Sequence, residues 1–240
     1  MKKMFFAALA ILTLSACQKQ QAEEIKVSIT YSLDASVGAD MTKSTDAEVF
    51  DLFYAEMKAG SLVAPIYELT FTETTTGAKY EFKGKWDSDD MITIRTGKYK
   101  VEGISKADGY YLQDKATLKF NQEIEISTSS TSITLDAAYD CFLLAFAKSD
   151  IKELKLYYRY YGDSNARFFS EFEGYYYGFV NDKMYADEAN RKEQACIVGT
   201  RENESEFKIY VGNANLEKGK YYIYNDVSNL FELPKMDAGI

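Results

Sequence analysis

The amino-acid sequence predicts an all-β fold of two tandem β-sandwiches with at most one short helix. The run from Ile25 to Leu33 alternates apolar and polar residues without a break, which is the period of a half-buried strand. Similar runs recur roughly every eight to twelve residues and are separated by clusters of Gly, Asp, Asn and Ser, a spacing typical of sandwiches and barrels. A Gly-Lys-Tyr strand entry also occurs twice in the chain.

Sixteen further runs are predicted to be strands. In chain order they are Val49 to Met57, Tyr67 to Thr72, Lys79 to Lys83, Met91 to Ile94, Tyr99 to Ile104, Ala116 to Phe120, Glu123 to Ile126, Ser132 to Leu135, Cys141 to Phe146, Glu153 to Tyr161, Phe168 to Phe172, Tyr175 to Val180, Ala195 to Val198, Glu206 to Val211, Tyr221 to Tyr224 and Leu230 to Leu233. Asp182 to Gln194 is the main helix candidate, since it contains good helix formers and begins with Asp. It has too few apolar residues for a buried stripe, so we expect one or two turns there.

The repeated strand entry predicts two similar domains. Gly97-Lys98-Tyr99 is echoed by Gly219-Lys220-Tyr221, and each is followed two residues later by an apolar side chain. Repetition over this distance predicts a boundary near residues 137–140, although the motif could also recur by chance in a chain rich in Lys and Tyr. We therefore expect a signal peptide at 1–16, a flexible tether at 17–24, an N-terminal sandwich at 25–138 and a C-terminal sandwich at 139–240.

Composition excludes several functions. The chain has no histidine, which removes Ser-His-Asp and Cys-His nucleophilic systems and imidazole metal sites. We expect no enzyme activity, catalytic residue, cofactor or metal. With 28 basic and 37 acidic side chains and a pI near 4.8, the chain lacks the basic character of nucleic-acid binders. Two carboxylates would suffice for a glycosidase, but no motif selects a pair among the acidic residues.

The amino terminus is typical of an export signal. Lys2 and Lys3 precede an apolar run of about 11 residues, which is shorter than the roughly 20 that a membrane-spanning helix needs. The run leads into Leu14-Ser15-Ala16-Cys17, which resembles the bacterial lipobox. The alternative is an ordinary secretory signal, because plain signal peptidase also prefers small residues.

The lipobox resemblance implies that Cys17 is the lipid attachment residue. In lipoproteins of this type the cysteine thiol is diacylated, the chain is cut before it, and the new amine is acylated, with palmitate among the acyl groups. More than one acyl chain gives stable anchoring to a membrane. Loss of Lys2 and Lys3 with the leader lowers the formal charge from −9 to −11. The mature protein is therefore expected to be an acidic, extracytoplasmic membrane lipoprotein.

The segment after the lipobox is expected to be a tether. Gln18 to Glu24 is polar and has no aromatic or β-branched residue. Gln21 to Glu24 resembles the short acidic export signals of some surface lipoproteins of the Bacteroidetes. A glutamate-containing linker is also common in other lipoproteins, so a surface-exposed and a periplasmic-facing location both stay open.

The strand entry from Ile92 to Val101 resembles the Gly-x-Tyr-x-Val hallmark of transthyretin-like sandwiches. Together with the lipobox and the second Gly-Lys-Tyr entry, it makes the chain resemble the fimbrillin-like lipoproteins of the Bacteroidales. The resemblance implies two Greek-key transthyretin-like sandwiches, an outer-membrane or fimbrium location, and a role in cell adhesion. It also implies other fimbrillin-like subunits as partners, bound by donor-strand exchange after a protease removes the first strand.

By position, the removable strand is Ile25 to Leu33, and Leu230 to Ile240 is the candidate donor. The sequence departs from the family at the cleavage site, because the first arginine is Arg95; only Lys26 and Lys43 lie near the first strand. This departure favours an unprocessed anchor or accessory subunit, or an adhesion protein that shares the fold.

Two cysteines remain after lipidation, Cys141 and Cys196. In an oxidising compartment they could form a disulfide that stabilises the second sandwich. The alternative is two buried small apolar side chains, because each lies within an apolar run.

Aromatic residues give a second candidate function, a glycan-binding or host-protein contact surface. Trp86 lies beside acidic residues and could stack on a sugar, although an acidic turn without metal explains the same pattern. The remaining candidate contact residues are Tyr157, Tyr161, Tyr175, Tyr176 and Tyr177. The alternative is that these rings lie in the core and present only their hydroxyls to water.

Overall fold

Strands dominate the chain, as the alternating pattern predicts. The computed structural model describes residues 22–33, 44–86, 89–106, 111–158, 166–181, 194–211, 216–227, 230 and 232–233. In chain order the elements of this part are β1 (Glu24–Leu33), α1 (Ser44–Ala59), β2 (Ile66–Glu73), β3 (Lys79–Lys85), β4 (Ile92–Arg95), β5 (Gly97–Lys106), β6 (Leu112–Gln113), β7 (Leu118–Ile126), β8 (Ser132–Tyr139), β9 (Phe142–Ala147), β10 (Ile151–Tyr157), β11 (Ala166–Phe168), β12 (Ser170–Phe172), β13 (Tyr175–Val180), β14 (Cys196–Arg201), β15 (Glu206–Tyr210) and β16 (Tyr221–Tyr224). The all-β prediction is confirmed.

Seven strands form the N-terminal sandwich. They are hydrogen-bonded in the order β3-β2-β5-β7-β8-β1-β4, and β7 and β8 pair at only two positions at one end. Buried side chains of β1, β4 and β8, such as Val27 and Leu135, share one core with those of β2 and β5, such as Phe71 and Val101. The hydrogen-bonded order therefore folds back on itself at the β7–β8 corner, and its two layers enclose what we call the first core.

Two sheets form the C-terminal part. A five-stranded sheet has the order β12-β13-β9-β16, with β6 also paired to β13, and a four-stranded sheet has the order β11-β10-β14-β15. Alternate side chains of the first sheet, including Leu144 and Phe146, pack with Leu156 and Ile197 of the second. These residues belong to what we call the second core.

The five-stranded sheet is buried on both faces. Leu143, Ala145 and Tyr177, on the face opposite the second core, pack into the first core together with α1. This two-sided burial explains why every residue of β9 is apolar, as in other strands that are covered on both faces. The division into 25–138 and 139–240 stays our proposal, and side chains from both sides of residue 138 meet in the first core.

The predicted strand from Val49 to Met57 is wrong, because these residues lie within helix α1. Phe50, Phe53 and Met57 are buried and recur at helical spacing, so the apolar side chains form one face of a helix. Gly60 ends the helix with a φ of 89°, and its N–H donates to the Met57 carbonyl over 3.1 Å. The predicted helix at Asp182 to Gln194 lies outside the described residues except for Gln194.

Four smaller differences concern the strands. The predicted strand from Phe168 to Phe172 is divided between β11 and β12, which belong to different sheets. The predicted strands Ala116 to Phe120 and Glu123 to Ile126 form one strand, β7, which begins at Leu118 and so leaves out Ala116 and Thr117. The short strand β6 is not predicted by the sequence pattern. The described part of Leu230 to Leu233 forms no strand, only an isolated bridge between Glu232 and Tyr210. Within the described chain, no helix has the length and apolar character needed to cross a membrane.

Candidate functional site

Strand β1 is held by two different partners along its length. Residues 24–27 pair antiparallel with β4, and residues 28–33 pair in parallel with β8. In these registers each half of β1 has one strand partner, so among the described residues no part of it is held by a strand on both edges. A strand paired in this way has fewer main-chain hydrogen bonds to break on leaving than a central strand has.

The inner face of β1 is apolar and fills the first core. Val27 is fully buried and Ile29 is 6 % exposed, while Ile25, Tyr31 and Leu33 are half-buried against the same core. Full burial of an aliphatic side chain contributes about 1.5–3 kcal/mol. Removal of β1 would therefore uncover an apolar groove over the first core.

The outer face of residues 28–33 of β1 is a row of hydroxyl side chains. The hydroxyl groups of Thr30 and Thr134 are hydrogen-bonded over 3.1 Å, and the Ser32 hydroxyl donates to Asp136 Oδ1 over 2.8 Å. These bonds join exposed residues of β1 and β8 that are directly opposite each other in the parallel register. They favour one register, because a shift by one residue would also move the apolar residues to the outer face.

Two tyrosine hydroxyls join β1 to α1. Tyr31 Oη donates to the Met57 carbonyl over 3.0 Å, and Tyr54 Oη donates to the Leu33 carbonyl over 3.2 Å. Burial raises the pKa of Tyr31 above its ordinary value of 10.0. The Tyr31 ring also packs edge-on against Trp86, with 5.0 Å between the ring centroids. Helix α1 thus binds the second half of β1.

Glu23, the residue before β1, is hydrogen-bonded to Thr96, which lies between β4 and β5. Thr96 N–H donates to the Glu23 carbonyl over 2.8 Å, and Glu23 N–H donates to Thr96 Oγ1 over 3.1 Å. Arg95 Nε lies 3.4 Å from Glu24 Oε1, and because both side chains are exposed this ion pair adds little. Glu23 and Glu24 are therefore bound beside the residues of the Gly97-Lys98-Tyr99 motif.

Strand β8 would become an open edge without β1. Its residues Ile133, Leu135 and Ala137 point into the first core, and residues 132–137 pair with β1. An exposed edge above an apolar groove is a template for another strand. The position of β1 is therefore a site that a strand of matching pattern can occupy.

Most of the predicted tyrosine contact surface is wrong, because Tyr157, Tyr176 and Tyr177 are buried, with exposures of 4 %, 3 % and 5 %. Tyr176 Oη donates to the Lys152 carbonyl over 2.6 Å, and Tyr177 Oη donates to the Asp114 carbonyl over 3.2 Å. Burial, with smaller effects of nearby acidic residues, raises the pKa of both phenols to about 12. The alternative, rings in the core, is correct, except that these hydroxyls bind main-chain carbonyls.

Trp86 and Tyr175 are half-buried and serve other contacts. The Trp86 ring packs against Tyr67 and Phe120 as well as Tyr31, which places it at the edge of the first core. Tyr175 Oη donates to Asn225 Oδ1 over 2.7 Å. The structure therefore does not bring Trp86 together with Tyr157, Tyr175, Tyr176 and Tyr177, the tyrosines that it describes, as one exposed platform. Tyr161 lies outside the described residues.

The possible disulfide between Cys141 and Cys196 is not formed. Both thiols are free and buried, and they belong to different clusters: Cys141 to the first core, and Cys196 to a small cluster with Tyr157 and Val198. Burial raises the pKa of Cys141 to about 12 and that of Cys196 to about 11. Both act as small apolar side chains, the alternative given above.

Sequence reasoning missed the residues of α1 that bind β1 and the five-stranded sheet. Phe50, Phe53, Tyr54 and Met57 were assigned to a strand because a short apolar run fits both periods. The glycine at position 60, just after the run, and Lys58 in its last turn are typical of a helix end and would have identified it. The predicted lipid attachment residue, Cys17, lies outside the described residues.

Comparison with known proteins confirms the leader. Residues 1–18 match the family model of the prokaryotic membrane lipoprotein lipid attachment site, so the chain carries the lipobox that its sequence predicts. No curated protein sequence matches the chain.

The chain is similar to solved structures from Bacteroides and Porphyromonas. A candidate cell adhesion protein from Bacteroides thetaiotaomicron has 13% identity and a TM-score of 0.44, with 85% of this chain and 94% of that chain covered. Another from Bacteroides uniformis has 10% identity and a TM-score of 0.44, covering 84% and 92%. The C-terminally truncated tip fimbrial protein Mfa3 from Porphyromonas gingivalis has 8% identity and a TM-score of 0.39, covering 62% and 76%.

Proposed function

We propose that this lipoprotein is a non-enzymatic, fimbrillin-like subunit of the cell envelope that works by β-strand complementation, as a pilus anchor, accessory subunit or adhesion protein. The observation that carries the proposal is the geometry of β1. Its residues 24–27 and 28–33 have one strand partner each, and its inner face covers the first core. The lipobox supports anchoring to a membrane, for which we propose the outer membrane.

Strand complementation follows from what β1 covers. A departing β1 would leave the main-chain groups of β8 unpaired and the apolar groove uncovered, and both are costly in water. A strand from another subunit relieves both costs if it alternates apolar and polar residues as β1 does. Main-chain hydrogen bonds would then give affinity, and the pockets of Val27 and Ile29 would give specificity.

The same geometry favours an unprocessed subunit. Lys26 lies inside β1, opposite Thr93 in the ladder with β4. A protease needs an extended chain that is free of such pairing, so Lys26 is protected while β1 is in place. The first arginine, Arg95, is in β4 and does not precede β1. A subunit that keeps its own first strand suits an anchor or accessory position, in which complementation requires β1 to leave its place without being cut off.

A chain cut after folding provides the test, since it avoids a truncated protein that fails to fold. A specific protease site introduced at residues 36–41 of the mature chain allows cleavage between β1 and α1. We expect the cut protein to take up a labelled peptide of residues 23–33, and to form SDS-resistant mixed oligomers with a fimbrillin-family subunit. The matched control is the same peptide with Val27 and Ile29 replaced by Asp, which should not bind. A cut protein that takes up neither strand would contradict the proposal.

The alternative function, glycan binding, has less support, because three of the tyrosines predicted to contact a glycan, Tyr157, Tyr176 and Tyr177, are buried. Trp86 remains as its test. If a glycan array showed saturable binding that Trp86→Ala abolishes, glycan recognition would replace strand complementation as the leading function.

A further inference from the structure

Helix α1 lies between β1 and the five-stranded sheet and contacts both. Toward β1, Tyr54 Oη donates to the Leu33 carbonyl, and the Met57 carbonyl accepts a hydrogen bond from Tyr31. Toward the sheet, the Phe50 ring stacks on Tyr221 with 4.0 Å between centroids and 7° between ring planes. The same helix therefore packs against β1 and β16, the first and the last strands among the described residues.

A second aromatic contact strengthens the sheet side of the helix. The Phe53 ring lies 5.2 Å from the Tyr177 ring of β13 and 5.0 Å from the Phe172 ring of β12. Phe53 is fully buried, so these contacts exclude water. Offset and tilted ring pairs of this kind are favourable beyond the area that they bury.

Strand β16 depends on this packing. It ends the hydrogen-bonded order of the five-stranded sheet and pairs in parallel with β9, residue Tyr221 opposite Leu143. Tyr221 and Ile223 face the first core, where α1 lies, and Tyr222 and Tyr224 face the second core. A strand at the end of a sheet opens more easily than a central one, so its packing against α1 strongly affects its protection.

We propose that α1 couples β1 to β16, so that loss of β1 loosens β16. When β1 leaves, α1 loses both tyrosine hydrogen bonds and the half-buried side chains of Tyr31 and Leu33. The stacking of Phe50 on Tyr221 then has to hold the helix with fewer contacts. In the proposed function, this coupling would make the C-terminal sheet sensitive to whether the β1 position is filled.

The coupling is reciprocal, because a free energy shared by two sites acts in both directions. Weakening the Phe50–Tyr221 stack should therefore loosen β1 as well. A hydrogen bond contributes a factor of about five to a local opening equilibrium. Removing two of them gives an effect that amide exchange can resolve.

Hydrogen–deuterium exchange of the chain from Gln18 onward tests the proposal. In the double variant Tyr31→Phe with Tyr54→Phe, we expect the amides of β16 to exchange roughly three to ten times faster than in the unchanged protein. Each Tyr→Phe substitution removes one hydroxyl and keeps the aromatic ring, so the packing of the fold is retained. In the reciprocal variant, Phe50→Leu, the amides of residues 28–33 should exchange faster.

The matched control is Thr30→Val, which removes the bond to Thr134 on the outer face of β1, away from α1. It should speed exchange in β1 and leave β16 unchanged. The proposal is overturned if β16 keeps its protection in the double tyrosine variant, or if Thr30→Val affects β16 equally. A uniform rise that includes β5 would show global destabilisation and would also overturn it. The hydrogen–deuterium exchange experiment uses this protein alone, without a peptide or a second subunit. Its result is therefore independent of the test of strand complementation.

Discussion

The hydroxyl of Tyr54 on α1 donates a hydrogen bond to the main-chain carbonyl of Leu33, the last residue of β1, over 3.2 Å. A carbonyl at the end of a strand would otherwise be left for water or a neighbouring chain. Because Tyr54 belongs to a helix that also packs on the five-stranded sheet, this bond links β1 to the C-terminal part of the molecule.

Neighbouring residues of β1 should differ sharply in their effect on stability. Ile29 is 6 % exposed in the first core, so Ile29→Ala should lower the free energy of unfolding by about 2–5 kcal/mol. Thr30, the next residue, is exposed, and Thr30→Ala should cost no more than about 1 kcal/mol. Urea unfolding of the two variants measures the difference. Equal losses would mean that the inner face of β1 does not fill the core.

Stability should fall in alkali because buried tyrosines resist ionisation. A free tyrosine ionises near its ordinary value of 10.0, whereas burial raises the pKa of Tyr176 and Tyr177 to about 12. The stability that comes from keeping them neutral is therefore complete below pH 10 and is lost as the pH rises from 10 to 12. Denaturant midpoints across this range should fall, and unfolding at pH 11 should add tyrosinate absorbance to that of the exposed tyrosines, which already ionise in the folded protein.

The variant Tyr177→Phe isolates one of these groups. The variant lacks the hydrogen bond to the Asp114 carbonyl, so its free energy of unfolding at pH 7 should be lower than that of the unchanged protein. Between pH 10 and 12, its free energy of unfolding should fall less steeply than that of the unchanged protein, and the two slopes should differ by about 1.4 kcal/mol per pH unit. Parallel curves for the variant and the unchanged protein would show that Tyr177 ionises as freely in the folded state as in the unfolded state.

The two buried thiols should be unreactive in the native state. Cys141 and Cys196 are free, and burial raises the pKa of both well above that of an exposed thiol. In the chain from Gln18 onward, iodoacetamide should add no group to the native protein and two groups after unfolding without a reductant. Intact mass reports both results. If the unfolded protein took up label only after reduction, a disulfide would be present.

Replacement of the lipobox cysteine should release the protein from the membrane. Residues 1–18 match the lipid attachment site, and we expect acyl chains on Cys17 to supply the anchor. In Cys17→Ser, labelling with a palmitate analogue should be lost and the protein should leave the membrane fraction. Cys141→Ser is the matched control, which should keep both the label and the membrane fraction. Retained label in Cys17→Ser would place the lipid elsewhere.

Local pattern predicted most of the strands. The alternation in Ile25 to Leu33 and the apolar run at Cys141 to Phe146 correspond to β1 and β9, because a strand's period depends on its own residues and on which faces are covered. For Val49 to Met57 the strand prediction is wrong, because the apolar residues of this run fit both the spacing of a strand and that of a helix. The glycine that ends α1 resolves the ambiguity.

The tyrosines of β13 show where pattern stops. Successive residues Tyr176 and Tyr177 point to opposite faces of the sheet, and alternation predicts that one face is exposed. Both are buried, because the second core covers one face and α1 with the first core covers the other. What covers a face is decided by residues distant in sequence, such as Phe53, whose ring lies 5.2 Å from that of Tyr177.

By itself, the sequence determined the strand-rich class, the lipobox at the amino terminus and the lack of imidazole chemistry, since each depends on residue type or on neighbours along the chain. Only the tertiary structure decided that β1 changes partner at residue 28, that α1 joins it to β16, and that the tyrosines are buried. The physical reason is that pairing and burial are properties of contacts between segments far apart in the chain, which no local period records.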